Sequence, residues 1–509
     1  MSNQKNLSAL QLTLLSCGGM IGTGWLFSPY YGFQAAGVWV MLSWLITAFL
    51  IFIIALCFAE VASNFPIGGS FLRYLNLTHS KGLGFLIITI GWLSYVVYLP
   101  LEAQGTMQYL GFWFPALIKE KAHSITLSNW GLLCSLLLML GITLFNTLHI
   151  KKIAITNVGI SLWKILLPVL AAIFVMYYYA KPQIFMHHYL SQAFDLKSIL
   201  LAITTSGIAF AFTGFQNGLI LANNAKNVKR AIPLSVIAPI IIGLLMYGLL
   251  SLLFIFCLPE TAQFLTLAAA PLLGILGLLG MHCLLLLMFA DSVISPLGTA
   301  NVYTAVTARI LSTSGYIFTL NFLKKMNKVG TPINCLWVNF FIGTFFLLPL
   351  PTWKQLVTFL SSLVMLGCLS GPISLLVLRK TMVEKKKIFR LPFPHFFAYS
   401  GFISCSLFIY WSGTLNLIYI TLLTLLLMMI YQLFLSSRYG RIRMDSILFL
   451  LYVAILSLIS LSGKWGLTPF PYDQLLLLPA SCIFMYFFTS THLSAAKIRN
   501  NFKRLDSNA

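Results

Sequence analysis

The chain has 509 residues, 59% of them hydrophobic and only 8% charged, with 32 Lys and Arg against 10 Asp and Glu for a net charge of +22. Soluble domains carry about 25% charged residues, and a soluble chain of this length cannot bury so much apolar surface. The composition excludes a soluble enzyme, a nucleic-acid reader and a disordered scaffold, and leaves a polytopic membrane protein.

A membrane crossing needs about 20 mostly apolar residues. In chain order the sequence predicts about fourteen, at 9–36, 38–63, 83–111, 129–148, 154–180, 198–222, 232–257, 271–308, 333–350, 355–378, 396–412, 414–435, 446–463 and 474–490. Their apolar runs are continuous and contain Gly and Pro, which favours helices over barrel strands that alternate every second residue. The fold expected is therefore all-α. Residues 1–8 read as a polar N-terminus with no removable signal peptide, and residues 491–509 as a basic tail. None of the nine cysteines forms a C-x-x-C pair, so no disulfide or metal is expected.

Orientation follows from Lys and Arg. With the N-terminus in the cytoplasm, the inner segments hold 25 of them and the outer segments 6, while Lys164 falls inside a span. This predicts that both termini are cytoplasmic and that the number of crossings is even. The positive charge is then a topological signal, and anionic lipid of the bilayer is the only partner that it implies.

The first span contains Gly18, Gly19, Gly22 and Gly24 within seven residues, a poor way to build a helix interior. The sixth, through Ala209-Phe210-Ala211-Phe212-Thr213-Gly214, has a second expected break about five spans later. That spacing predicts two inverted five-helix repeats, 9–180 and 198–378, each beginning with a discontinuous helix. Residues 396–435 follow as helices 11 and 12, and 446–490 as two further helices. Glycines that merely let helices pack closely are the alternative reading. Unwound backbone in lipid is tolerated where it lines a cavity. Amides at Gly22, Thr23 and Gly24 would face a carboxylate. Carbonyls freed in the sixth span would face an ammonium group. Together they suit the two ends of an α-amino acid.

Several motifs now resemble one family. Gly18 to Phe27 (GGMIGTGWLF) resembles the first-helix glycine motif of the amino acid–polyamine–organocation permeases. Phe58-Ala59-Glu60 with Phe65-Pro66-Ile67-Gly68-Gly69 resembles the end of that family's second helix and the following loop. Lys226-Asn227-Val228-Lys229-Arg230-Ala231-Ile232-Pro233 resembles its loop after the sixth helix. The continuation Trp25 to Tyr30, and Pro100 with Glu102, look most like the bacterial aspartate–proton symporter branch. The resemblance implies a LeuT-like fold of five-plus-five inverted repeats in the cell membrane, and transport rather than enzymatic chemistry. Departures are Thr23, where the family has Ser or Ala, Val228 for Pro, Asn223 and Asn224 in a stretch that is often acidic, and Gln216 where arginine–agmatine exchangers carry a glutamate.

Lys164 lies about ten residues into the fifth span, about 15 Å at 1.5 Å per residue. A lysine at that depth is functional by default, with a snorkelling side chain as the alternative. The resemblance implies that it donates to carbonyls near Gly18 or Gly19 and to eighth-span hydroxyls such as Ser292 or Ser295, and that it gains and loses a proton. Asp291 either pairs with Lys164 or lies in a vestibule, and Glu102 near the outer end of the third span serves proton entry or substrate selection, with a satisfied interfacial carboxylate as the alternative. Glu60 reads as a gate or loop contact.

The sequence therefore points to a proton-coupled amino acid symporter without cofactor or metal. Its substrate would rest on Ile21, Gly22, Thr23 and Gly24 and on Phe210, Ala211, Phe212, Thr213 and Gly214, and Lys164, Asp291, Ser292, Ser295 and Glu102 would couple the proton. An exchanger of the same fold is the competing reading. An intramembrane acyltransferase using His149 or His282 lacks any paired motif. The branch resemblance suggests an acidic substrate, although no second buried cation is evident to receive its side chain.

Overall fold

The computed structural model describes residues 7–67, 71–121, 124–148, 150–191, 193–220, 225–259, 268–327, 330–382 and 388–507. Gly68, Gly69, Asn223, Asn224 and His149, singled out above, lie outside the described residues.

The chain is a helical bundle. Helix α1 (Ala9–Met20) opens on a capping box between Ser8 and Gln11 and is followed, after three non-helical residues, by α2 (Gly24–Ala36). Next come α3 (Val40–Asn64), the short α4 (Arg73–Thr78) and α5 (Lys81–Leu110). A two-stranded antiparallel hairpin, β1 (Ile118–Lys121) and β2 (Ser124–Leu127), leads into α6 (Asn129–Leu148), α7 (Ile150–Tyr179) and α8 (Pro182–Ser191). The sixth expected span divides into α9 (Leu196–Thr205), α10 (Ile208–Phe212) and α11 (Asn217–Ile220). It is followed by α12 (Val228–Cys257), α13 (Pro271–Leu278) and α14 (His282–Ile317). The remainder is α15 (Ile333–Phe346), α16 (Trp353–Cys368), α17 (Ser370–Thr381), α18 (Pro394–Trp411), α19 (Thr414–Ile430), α20 (Ser436–Tyr439), α21 (Met444–Lys464), α22 (Tyr472–Ser490) and α23 (Ala495–Ser507).

Among the described residues, ten helical segments are long and apolar enough to cross a membrane. Three shorter apolar helices, Ala9–Met20, Leu196–Thr205 and Ile333–Phe346, fall below that length. Two of the three are the leading parts of the interrupted first and sixth segments. The chain is a multi-pass membrane protein, and its surface says so: α6 and α7 present Leu137, Leu144, Phe145, Leu166 and Leu170 outward, whereas α5 and α16 are buried almost throughout. Such apolar faces need lipid around them.

One expectation about elements is corrected. The segment 271–308 is not one helix, because the chain turns at Gly280 (φ +69°) between α13 and α14. The basic tail is not featureless. In α23 the apolar Ile498 and Phe502, four residues apart, are buried while the cations take the other face. Phe502 lies 5.2 Å from the Phe65 ring, and Asn501 Nδ2 donates to the Leu77 carbonyl at 2.9 Å.

At that same end of the bundle, Glu60 on α3 accepts from Arg379 Nε and Nη2 of α17, both at 2.6 Å, and from the Leu391 amide at 2.7 Å. Asn64 extends the clamp by donating to the Phe389 carbonyl at 2.7 Å and accepting from the Ile388 amide at 2.6 Å. The side chains of the pair are only 13% and 3% exposed. Arg379→Ala strands a buried carboxylate, so it is expected to cost about 3–5 kcal/mol. Thermal unfolding of the purified protein in detergent measures this, and an unchanged midpoint would remove the clamp from the account.

Candidate substrate and proton site

Helix α1 stops because Ile21 leaves the helical region (φ −92°, ψ 84°), its own amide closing the last turn on Cys17 at 2.9 Å. Helix α2 restarts at Gly24 with no side-chain cap. The carbonyls freed by this break find new partners. Gly18 O accepts from Lys164 Nζ at 3.2 Å and from Thr299 Oγ1 at 3.1 Å. Ile21 O accepts from Thr299 Oγ1 at 2.9 Å and Ser295 Oγ at 3.5 Å, and Met20 O from the Tyr247 hydroxyl at 3.3 Å. Lys164 Nζ also donates to Thr299 Oγ1 at 2.7 Å. Lys164 is 1% exposed, midway along α7, and ties that helix to the broken strand of α1 and to α14.

The amide side of the break is occupied as well. Thr23 N donates to Glu102 Oε2 at 2.8 Å, and a Cβ at Gly22 would run into the same carboxylate. Glu102 is 1% exposed, and its Oε1 has no hydrogen-bond partner among the described residues. The start of α2 is therefore where the protein holds an anion, its own Glu102 carboxylate on the Thr23 amide.

The sixth segment breaks against the first. Gly207 (φ +78°) precedes α10, and Gly214 (φ +118°) follows it. A Cβ at Gly214 would lie 2.7 Å from the Met20 amide nitrogen, so positive φ and close approach both demand glycine here. Ser16 Oγ bridges the two breaks, donating to Phe215 O at 3.3 Å and accepting from Gly218 N at 2.9 Å. Phe210 O, expected to receive an ammonium, is used internally. Thr213 Oγ1 donates to it at 2.6 Å while accepting from the Tyr98 hydroxyl at 2.6 Å.

The residues expected at the site are thus sorted. Ile21 to Gly24 share the first break, and Gly24 meets Ala211 and Phe210, since a Cβ there would lie 3.2 Å from Ala211 Cα and 3.3 Å from the Phe210 ring. Lys164, Glu102 and Ser295 join them. Phe212 faces the other way, against Trp44 and Tyr247. Ser292 bonds only back to Phe289 O of its own helix, at 2.7 Å, and the lysine partner on α14 is Thr299, one and two turns beyond the expected serines. Among the described residues Asp291 forms no ion pair with Lys164. Its Oδ1 accepts from Trp163 Nε1 at 3.0 Å, and its buried Oδ2 has no hydrogen-bond partner among the described residues. Glu102 is not peripheral to the site but within it.

Sequence reasoning missed a layer of aromatic and polar groups. Tyr95 donates to Asn217 Oδ1 at 3.2 Å, and Tyr98 stacks on Tyr303 at 3.5 Å. Trp353, at the start of α16, roofs the anion site. Its Nε1 donates to Thr23 Oγ1 at 3.1 Å and its ring lies 4.7 Å from Phe27. The signal was present on α14, where Ser295, Thr299, Tyr303 and Thr307 recur every four residues and so share one helix face. On α5 Tyr95, Tyr98 and Glu102 do the same with spacings of three and four.

The amino acid permease family model matches residues 7–459. The chain belongs to the amino acid permease family. This permease is 30% identical over 420 residues to the Aspartate-proton symporter of Bacillus subtilis, an alignment covering 81% of this chain and 80% of that one. It is 27% identical over 506 residues to the Glutamate/serine transporter AimA of the same species, covering 94% and 92%. A third relative, the Methylthioribose transporter of Bacillus subtilis, is 26% identical over 406 residues, covering 76% and 84%. These relatives are transporters and not enzymes. His282, one of the two histidines weighed for acyl transfer, is exposed at the start of α14.

Proposed function

We propose that this permease is a proton-coupled amino acid symporter of the cell membrane, working by alternating access with both termini in the cytoplasm. The reading includes fourteen crossings, the first ten forming two inverted repeats of five helices. Helix α3 packs on α12 and α5 on α14, the second-to-seventh and third-to-eighth contacts that a pseudo-two-fold arrangement brings about. Residues 9–180 form the first repeat, 198–378 the second, 396–435 the eleventh and twelfth helices and 446–490 the additional pair. The names of two relatives include aspartate and glutamate as transported amino acids, which supports an amino acid substrate here.

The observation that carries the reading is the Thr23 amide bonded to Glu102 at 2.8 Å. A substrate carboxylate takes that amide in place of Glu102. Glu102, deprived of its donor and closed off from water, then binds a proton, because an unpaired buried carboxylate is too costly to remain charged. Lys164 holds the Gly18 carbonyl in one orientation of the broken helix and releases it in the other, exchanging its proton as it does so. Substrate and proton therefore enter together. Asp291, Ser292 and Ser295 line the α14 side of the proton's path.

Competition uptake into proteoliposomes tests the carboxylate's role. An L-amino acid is expected to inhibit at least about tenfold better than the amine left by removing its α-carboxylate, the effect of losing one charge-assisted hydrogen bond. Equal inhibition by the two would sink the anion site. Gly24→Val, which drives side-chain atoms into the Ala211 backbone, is expected to block uptake while leaving the thermal midpoint within a few degrees. Normal affinity in that variant would contradict the placement of the substrate.

A further inference from the structure

Above the roof formed by Trp353 lies a cavity of about 60 Å³, lined by Tyr31, Gln34, Gln108, Ser124, Thr352 and Lys354 among others. Among the described residues that line it none is acidic, and Lys354 is the one charged. The lysine follows Trp353 in the first turn of α16, which a capping box between Thr352 and Gln355 fixes in place. Its Nζ rests 3.9 Å from the centroid of the Tyr31 ring. That ring cannot follow the lysine. Its hydroxyl donates to Ala268 O at 2.9 Å and accepts from the buried Gln108 Nε2 at 3.2 Å.

We infer that this cavity is an entry subsite for the side-chain carboxylate of an acidic amino acid, with Lys354 as the residue that selects it. The inference rests on the amino acid transport reading above and names the class of substrate. A cation over a ring face is held more weakly than a cation on a carboxylate. An arriving dicarboxylic amino acid therefore draws Lys354 off Tyr31. Trp353 Nε1 donates to Thr23 Oγ1, and the Trp353 ring and the Lys354 ammonium both lie against Tyr31 and both line this cavity, so the cavity adjoins the residue that covers the Thr23 amide. A substrate with two carboxylates can rest one on Lys354 while the other advances towards the Thr23 amide. A neutral amino acid carries one carboxylate, which must leave the lysine to reach the Thr23 amide, so the lysine does not hold it while it advances. The missing second cation for an acidic substrate is thus supplied by a residue at the mouth of the site instead of one in the membrane core.

A pocket of one charge sign raises the local concentration and on-rate of the opposite charge by roughly 10–10³-fold. Uptake of L-aspartate, L-glutamate, L-serine and L-alanine by proteoliposomes of the full-length protein tests the proposal. Lys354→Gln is expected to lower kcat/KM for the two acidic substrates about tenfold, the low end of that range. Transport of serine and alanine should be unchanged, and Lys354→Arg should retain the acidic preference. Raising the ionic strength should erode the acidic-to-neutral ratio of the unaltered protein and leave that of Lys354→Gln flat. Equal loss for acidic and neutral substrates would make Lys354 a gate strut only and overturn the proposal, as would no loss for any of them. No amino acid uptake by the unaltered protein would instead overturn the transport reading on which it stands.

Discussion

Lys164→Ala is expected to abolish gradient-driven uptake, lowering it at least about 100-fold. The side chain donates to Gly18 O and to Thr299 Oγ1 from a position 1% exposed. Charge-assisted hydrogen bonds contribute about 1.5–3 kcal/mol each, and a tenfold change corresponds to about 1.4 kcal/mol. Two such bonds therefore amount to a factor of about 100 or more. The single Thr299 hydroxyl proton is still shared between the two freed carbonyls in the variant, so the fold should survive. Substrate counterflow, which needs binding and reorientation but no net proton movement, should persist. Lys164→Met, closer in volume, provides the folding control. Unchanged response to the proton gradient in either variant would remove the lysine from coupling.

The second large effect concerns Glu102. A glutamine there still offers an oxygen to the Thr23 amide, which Glu102 Oε2 meets at 2.8 Å, but it can neither lose nor gain a proton. Glu102→Gln is therefore expected to uncouple. Accumulation against a concentration difference is lost, while downhill uptake and counterflow remain. The pattern differs from that of Gly24→Val, where substrate is excluded and both modes fail. If Glu102→Gln still accumulates substrate when protons flow inward, the carboxylate is a structural cap on the broken helix and nothing more. If it loses counterflow as well, Glu102 binds substrate instead of yielding to it.

The first break was legible because four glycines within seven residues are a poor way to build a helix interior. The second was legible only through its spacing from the first, since one of its two breaking glycines, Gly207, lies outside the motif that drew attention. Lys164 stood out because a lone charge in an apolar run needs a reason. Its carbonyl partner, Gly18, was among those expected, while its hydroxyl partner is Thr299 and not the expected Ser292 or Ser295. A stripe of hydroxyls every four residues on α14 offers Ser295 and Thr299 on one face, and only packing against α1 and α7 decides between them. Glu102 looked peripheral when counted from the end of its own helix. Depth in this fold is set by where α5 crosses the break in the first segment, and a linear count does not contain that. Trp353 was invisible for a related reason. It opens a helix 330 positions from Thr23 in sequence, and no local pattern links them. Ile498 and Phe502 on α23 were hidden by the charges around them, although their spacing of four is a helical signature.

Accumulation of a labelled acidic amino acid in proteoliposomes, with and without an imposed inward proton gradient, tests the central claim most directly. The account predicts that the gradient drives the internal concentration well above the external one, that a protonophore abolishes the excess, and that Glu102→Gln and Lys164→Ala each prevent it. Uptake that only exchanges against preloaded substrate, at the same rate whatever the gradient, would contradict it.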